Sequence, residues 1–452
     1  MPSLHVNFAG IKSPNPFWLA SAPPTNSGYQ IMKAFDAGWG GAVWKTLGVP
    51  IVNVSSRYGS VNYRNSRMMG FNNIELISDR PLKDNLKEIT EVKKRFPDHA
   101  VIASLMVQSK KEWHQIVQDV TNAGADGIEL NFGCPHGMCE RGMGSAVGQE
   151  PEVLKTIVGW VMEVAKIPVI TKLTPNITDI TQPALAAAEA GSDAISLINT
   201  IQSIVGVDID DFTPYPKVDG KSTNGGYCGP AVKPIALNML KNCAQHPGVK
   251  IPISGIGGVE NWRDAVEFIL LGATTVQVCT AVMHYGFGII REMVAGLESY
   301  MEDKGFATIN DFAGKALPKV VHWEDLNLKY KVVATIDASK CIGCQLCYTA
   351  CEDGAHQAIG LTGGTNRKPY IIEENCVGCN LCSLVCPVEH CITMERRDDG
   401  LGNETWEHRT ETGNIPTTFN DKLAGGLHHT LPDPLAALHV KKPRHYGTKK
   451  LS

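Results

Sequence analysis

Eight short apolar runs, each followed by a stretch of helical character, constrain this 452-residue chain more than any other feature. The runs are Phe17–Ser21, Gly41–Thr46, Val101–Met106, Gly127–Asn131, Val169–Leu173, Ala194–Ile198, Ile251–Gly255 and Thr275–Cys279. Between them, helical spacing covers Pro81–Phe96, Lys110–Ala123, Pro151–Ala165, Thr181–Ala190, Val232–Ala244 and Asn261–Leu271. Near-continuous apolar runs joined by helices imply parallel strands with crossovers, and eight of them close a (β/α)8 TIM barrel. A doubly wound open sheet also alternates, but eight units over about 280 residues favour the barrel. The stretch from Gln202 to Pro230 is rich in Gly, Asp and Pro, and follows the sixth strand. It is expected to be a loop over the active face.

A second constraint lies downstream. Cys341-x2-Cys344-x2-Cys347-x3-Cys351 is repeated as Cys376-x2-Cys379-x2-Cys382-x3-Cys386-Pro387, the only internal repeat visible. This spacing lets three thiolates of a run hold one [4Fe–4S] cubane while the fourth reaches the other cluster. Cys341, Cys344, Cys347 and Cys386 are therefore expected to bind one cluster, and Cys376, Cys379, Cys382 and Cys351 the second. A pair of zinc sites is the alternative, since Cys-x2-Cys pairs also suit zinc. Glu352 stands where the second run has Pro387, which removes no ligand, and Cys391 falls outside the pattern as a buried thiol. The clusters pass single electrons, so another group must collect them in pairs.

These features divide the chain into a barrel over 1–317, a connector over 318–331, a small α+β ferredoxin-like domain over 332–396 and a polar extension over 397–452. The extension carries little periodicity and is expected to be poorly ordered or wrapped on a partner. A net charge of −4 gives no reason to expect nucleic acid or an anionic membrane as partner. The most apolar stretch, Val266–Met283, is broken by polar residues and reads as helix then strand, not a membrane span. The N-terminus shows no basic-then-apolar export signal, and nine of the fourteen cysteines crowd between Cys341 and Cys391. Metal ligation in a reducing, cytoplasmic compartment is the expectation.

Chemistry in such barrels sits where strands end. The fourth run leads into Asn131-Phe132-Gly133-Cys134-Pro135-His136-Gly137, which holds a thiol over the strand tops. Ala22 follows the first strand, Lys45 and Thr46 close the second, Lys172 nears the end of the fifth, and Asn199-Thr200 follows the sixth. Gly255, Gly257 and Gly258 follow the seventh strand, and Cys279 and Thr280 the eighth. Backbone amides at those last two ends suit the 5′-phosphate of FMN, and a lysine at the fifth can face flavin N1 and O2.

The segments Asn131 to Gly144, Asn72-Asn73-Ile74-Glu75-Leu76-Ile77-Ser78 and Lys172-Leu173-Thr174-Pro175-Asn176, with the tandem cluster module, resemble the dihydropyrimidine dehydrogenase family over roughly residues 1–396. The likeness is greatest to its bacterial subunits that carry only these two domains. It implies an oxidoreductase of pyrimidine catabolism that reduces uracil or thymine. Cys134 would protonate C5 while reduced FMN delivers hydride to C6, and Asn73, Glu75, Asn131, Asn199 and Thr200 would hold the pyrimidine. An unperturbed thiol, with pKa about 8.5, is mostly protonated at neutral pH. The chain shows no dinucleotide fingerprint, so FAD and NAD(P)H are expected on a partner subunit, with a homodimer of this chain inside a heterotetramer. Where the family's larger members have a serine, this chain has Gly133. Competing readings are a dihydroorotate dehydrogenase, built on a similar FMN barrel, and a pure electron-transfer protein in which Cys134 would be idle.

Overall fold

A computed structural model describes residues 2–63, 66–364, 367–398, 402 and 404–413. The chain divides into two compact units, Met1–Val320 and Val321–Ser452.

The first unit is a closed barrel of eight parallel strands. They are β1 (Phe17–Leu19), β2 (Gly41–Leu47), β3 (Ala100–Leu105), β4 (Gly127–Asn131), β5 (Val169–Lys172), β6 (Ala194–Leu197), β7 (Ile253–Ile256) and β8 (Ala273–Val278). The eight expected strands are all present, with ends shifted by up to two residues. Around them run α1 (Gly28–Ala37), α2 (Leu82–Arg95), α3 (Lys110–Asn122), α4 (Pro151–Met162), α5 (Thr181–Glu189), α6 (Lys233–Gln245), α7 (Trp262–Leu270) and α8 (Ile290–Lys304). Their starts follow local chemistry. The side chains of Ser109 and Glu112, and of Asn261 and Asp264, close reciprocal capping boxes at α3 and α7, and Pro151 opens α4.

Strand alternation sorts the barrel's side chains. Phe17, Leu19, Ala42, Trp44, Val101, Ala103, Ile128 and Leu130 pack outward with the helices in the main core. Trp18, Val43, Ile102, Ile170 and Ala194 form a separate buried cluster with Phe8 and Ile11. The last two lie on an N-terminal hairpin, Val6–Phe8 with Ile11–Ser13, and Phe8 meets Trp18 edge-on at 5.6 Å. This apolar plug closes one end of the barrel interior.

The expected loop after β6 is partly sheet. Ile201–Ser203 and Gly225–Cys228 pair antiparallel, and the latter joins Ser66–Asn73, itself paired with Tyr58–Tyr63. Composition suggested a loop because Gly225 and Gly226 carry no strand propensity; the added carbon of alanine at 226 would come within 2.1 Å of Thr200 Oγ1.

In the second unit, β9 (Lys331–Ile336) pairs with β12 (Ile392–Arg397), and β10 (Ile359–Leu361) with β11 (Pro369–Ile371). A helix, α9, spans Leu346–Gly354. Ten of the described residues form its buried hydrophobic cluster, and five of them are cysteines: Cys347, Cys351, Cys376, Cys382 and Cys391. Of the expected polar extension, Trp406–Thr412 is helical, capped by Thr405, which composition did not suggest; residues 414–452 lie outside the described residues. Among the described residues no helix is long and apolar enough to cross a membrane.

Candidate active site and cluster cavities

On four of the strands, going two residues towards the C-terminal end changes the barrel interior from apolar to polar. Val43 gives way to Lys45, Ile102 to Ser104, Ile170 to Lys172 and Ala194 to Ser196, all buried. Glu129, Ser254, Thr275 and Gln277 are buried with them. A polar interior layer is costly unless its groups are hydrogen-bonded. Here Thr275 Oγ1 donates to Ser254 Oγ (2.8 Å), Gln277 Nε2 donates to Ser254 Oγ (3.2 Å), and Ser196 Oγ donates to Glu129 Oε2 (3.0 Å).

Over this layer opens a cleft of about 1130 Å³, counted out to its mouth. Cys134, Asn73, Glu75, Asn131, Asn199, Thr200, Ala22, Lys45, Thr46, Lys172, Gly257, Gly258, Cys279 and Thr280 all line it. Gly255 does not. It lies within β7 with its α-carbon towards the helices, where a side chain would meet Phe268 at 2.4 Å and Leu240 at 3.0 Å. A place inside the strand, rather than after it, corrects that expectation.

The amides form a chain. Asn131 Nδ2 donates to Thr46 Oγ1 (2.9 Å), and Asn199 Nδ2 donates to Asn131 Oδ1 (2.9 Å). Gly133 makes the second contact possible, because an added carbon there would lie 2.3 Å from Asn199 Cβ. The space a serine side chain would use is filled by Asn199. Glu75 is held from three sides: Lys45 Nζ at 2.5 Å and Arg57 Nη1 at 3.3 Å reach Oε1, and Tyr58 OH donates to Oε2 at 2.5 Å. Burial and the Glu75 carboxylate hold the Tyr58 phenol well above its usual range, so it stays a donor. Arg57 and Tyr58 were not singled out in the sequence. Their only signal is a place seventeen and eighteen residues before Glu75, which means nothing until two strands pair.

Cys134 is buried, and its thiol donates to the carbonyl of His136 at 3.5 Å. Burial pushes the thiol up to about 11, above the value taken for an unperturbed cysteine. His136 packs against backbone, with Nε2 3.1 Å from the Glu75 carbonyl. Cys139, in the same loop, donates to Pro135 O at 3.3 Å. Cys228 lines the cleft and receives Thr280 Oγ1 at 3.2 Å, whereas Cys243, on α6, is fully buried with Sγ towards the Ile180 carbonyl.

The cleft fits a flavin. Gly257 (φ 127°) and Gly258 (φ 75°) adopt backbone that side chains disfavour, and a carbon added at Gly258 would lie 2.9 Å from both Gly229 O and Lys233 N. That tight turn presents backbone amides at the strand-seven end, as an anionic phosphate requires. At the polar floor, Glu129 Oε1 and Gln277 Oε1 are buried without hydrogen-bond partners.

The cysteines gather as two interleaved sets. Cys341, Cys344, Cys347 and Cys386 line one cavity with Cys391, and Cys351, Cys376, Cys379 and Cys382 line another. Each cavity thus takes three residues from one run and one from the other. The two runs share a backbone shape, with left-handed Gly343 and Gln345 (φ 71° and 62°) matched by Gly378 and Asn380 (69° and 67°). Among the described residues, no three His, Cys, Asp or Glu side chains converge as ligands of one metal ion would.

Fold and site together define a barrel oxidoreductase with an appended iron–sulfur module. Residues 3–301 match the dihydroorotate dehydrogenase family and residues 334–394 the 4Fe–4S dicluster domain. The chain is 44% identical over 393 residues to the NAD-dependent dihydropyrimidine dehydrogenase subunit PreA of Escherichia coli K12, covering 86% of this chain and 95% of that one. It is 44% identical over 344 residues to the chloroplastic dihydropyrimidine dehydrogenase (NADP(+)) of Arabidopsis thaliana, covering 73% and 80%. To the catalytic subunit of dihydroorotate dehydrogenase B (NAD(+)) of Pyrococcus abyssi it is 36% identical over 322 residues, covering 70% and 99%. The chain belongs to the dihydropyrimidine dehydrogenase family, within the wider dihydroorotate dehydrogenase class.

Proposed function

We propose that this chain is the catalytic subunit of a heteromeric dihydropyrimidine dehydrogenase that interconverts uracil or thymine and the 5,6-dihydropyrimidine. Electrons reach the barrel through two [4Fe–4S] clusters from an FAD- and NAD(P)H-binding partner. FMN bound in the cleft would supply the hydride for pyrimidine C6. Lys172 and the backbone at Gly257 and Gly258 would hold it, with Ala22, Lys45, Thr46, Cys279 and Thr280 around it.

The protein's own part is to bind, orient and protonate. Side-chain amides of Asn73, Asn131 and Asn199 meet both the N–H and C=O edges of a pyrimidine, with Thr200 beside them, and Glu75 accepts from N–H. Cys134, protonated at neutral pH, gives its proton to C5 as hydride arrives at C6. In the reverse direction it takes that proton back.

One observation carries the choice of substrate. The described cations lining the cleft are Lys45 and Lys172, and each already faces a carboxylate, Glu75 at 2.5 Å and Glu129 at 3.5 Å. An orotate carboxylate would arrive without a free positive partner and beside Glu75, whereas an uncharged pyrimidine meets no such penalty.

The test is anaerobic. The chain is reduced chemically and mixed with uracil, thymine or orotate while the flavin band is followed. Recovery of the band with uracil or thymine is expected. Recovery with orotate alone would move the assignment to dihydroorotate oxidation, and no recovery with any would leave an electron carrier.

A further inference from the structure

We infer that Glu129 is a positioning residue for the flavin: it holds Lys172 and offsets its charge, keeping the reduction potential of the bound cofactor low. The inference rests on the flavin reading of the cleft and goes beyond it, to a residue that does not line the cleft.

Glu129 sits on β4 and is fully buried. Its Oε2 receives Ser196 Oγ at 3.0 Å and Gln277 Nε2 at 3.4 Å. Its Oε1 has no hydrogen-bond partner, and the cation facing it is Lys172 Nζ at 3.5 Å. Beneath lies the dry cluster that includes Ile170 and Val43. A carboxylate in such a place is strongly unfavourable alone and persists only with a compensating charge.

The spacing is informative. Partly buried lysines elsewhere in the barrel close to hydrogen-bond contact with their carboxylates, as Lys93 does with Asp126 at 2.8 Å and Lys233 with Asp264 at 2.6 Å. At 3.5 Å Lys172 stands beyond a good charge-assisted hydrogen bond, so its ammonium hydrogens are not committed to Glu129. Lys172 also lines the cleft. The lysine is thus shared: Glu129 offsets its charge from below, and its side chain lines the cleft above.

Structural satisfaction alone does not require an acid here. Serine, threonine and glutamine already knit the rest of the layer together. What the carboxylate adds is charge. With Glu129 the buried pair sums to zero; without it Lys172 presents an uncompensated positive charge to the flavin. Reduction places negative charge on the flavin ring, so an uncompensated lysine favours the reduced form. Glu129 therefore makes the reduced cofactor a stronger hydride donor to the pyrimidine.

The readout is potential rather than turnover. Wild-type and Glu129→Gln holoenzymes are titrated anaerobically against a reference dye, following the flavin band. Glu129→Gln is expected to raise the reduced-to-oxidised ratio at fixed potential at least tenfold, about 30 mV for a two-electron couple. Glu129→Asp, which keeps the charge, is expected to stay within about threefold of wild type. An unchanged potential in Glu129→Gln, or equal shifts in both variants, would overturn the inference. If Glu129→Gln does not fold, Ser196→Ala carries the test. Loss of the hydroxyl leaves more charge on the carboxylate, and the ratio is expected to fall about threefold; no shift overturns the inference. A wild-type chain with no flavin spectrum would instead overturn the flavin reading, and this inference with it.

Discussion

Cys134 shows how burial changes a chemical role. A thiol raised to about 11 keeps its proton across the physiological range, and that gives the two directions opposite pH profiles. Pyrimidine reduction needs the protonated thiol, so its kcat/KM should stay flat to about pH 9 and fall only near 11. Dihydropyrimidine oxidation needs the thiolate, so its kcat/KM should rise about tenfold per pH unit below that value. A reduction profile falling from pH 8.5 would mean that the thiol is not shielded in solution. Cys134→Ala should lose about 10²–10⁴-fold in turnover with flavin and cluster spectra unchanged, the range for a lost general acid. Near-normal turnover would show the proton coming from elsewhere. At this scale the sequence was legible where residues lie close along the chain, as with Asn131 to His136. It was silent on Glu129, a single acid within an apolar run, and on Tyr58 and Arg57, which reach Glu75 only through strand pairing. Gly133 was visible as a departure, but its meaning depends on Asn199, sixty-six residues away.

At the scale of elements, the barrel strands could be read because burial on both faces makes each a continuous apolar run. The sheet over the cleft could not: Tyr58–Tyr63 is almost wholly exposed, and Gly225–Cys228 owes its place to a close approach by Thr200. The tandem cysteine runs were legible down to their crossing, because that spacing has a fixed geometrical meaning. Their interleaving makes a pointed prediction. Cys386→Ser should impair the cluster proposed at Cys341, Cys344 and Cys347, and spare the one nearer in sequence. Iron content should fall from about eight towards about four per chain, and Cys341→Ser should give the same spectroscopic loss. Loss of the other cluster's signal would show that each run holds its own.

For the whole molecule, the proposal separates chemistry from electron supply. Chelating the cluster iron while keeping the flavin should leave its reduction by dihydrouracil intact. It should abolish onward transfer to a one-electron dye. Equal loss of both steps would mean that the clusters support the barrel rather than serve it. The two kinds of unit were distinguishable from the sequence because their order comes from different sources, periodic burial in one and ligand spacing in the other. The connector and the polar extension carry neither signal.

The small unit's hydrophobic cluster is half thiol, five cysteines among ten described residues. A core of that kind has little apolar surface to collapse upon, so its folding and its loading with iron are one event. The barrel has a large apolar core of its own. In a cell short of iron, newly made chains would therefore carry a finished catalytic barrel beside a segment left open to proteases. The number of intact molecules would then follow the supply of iron.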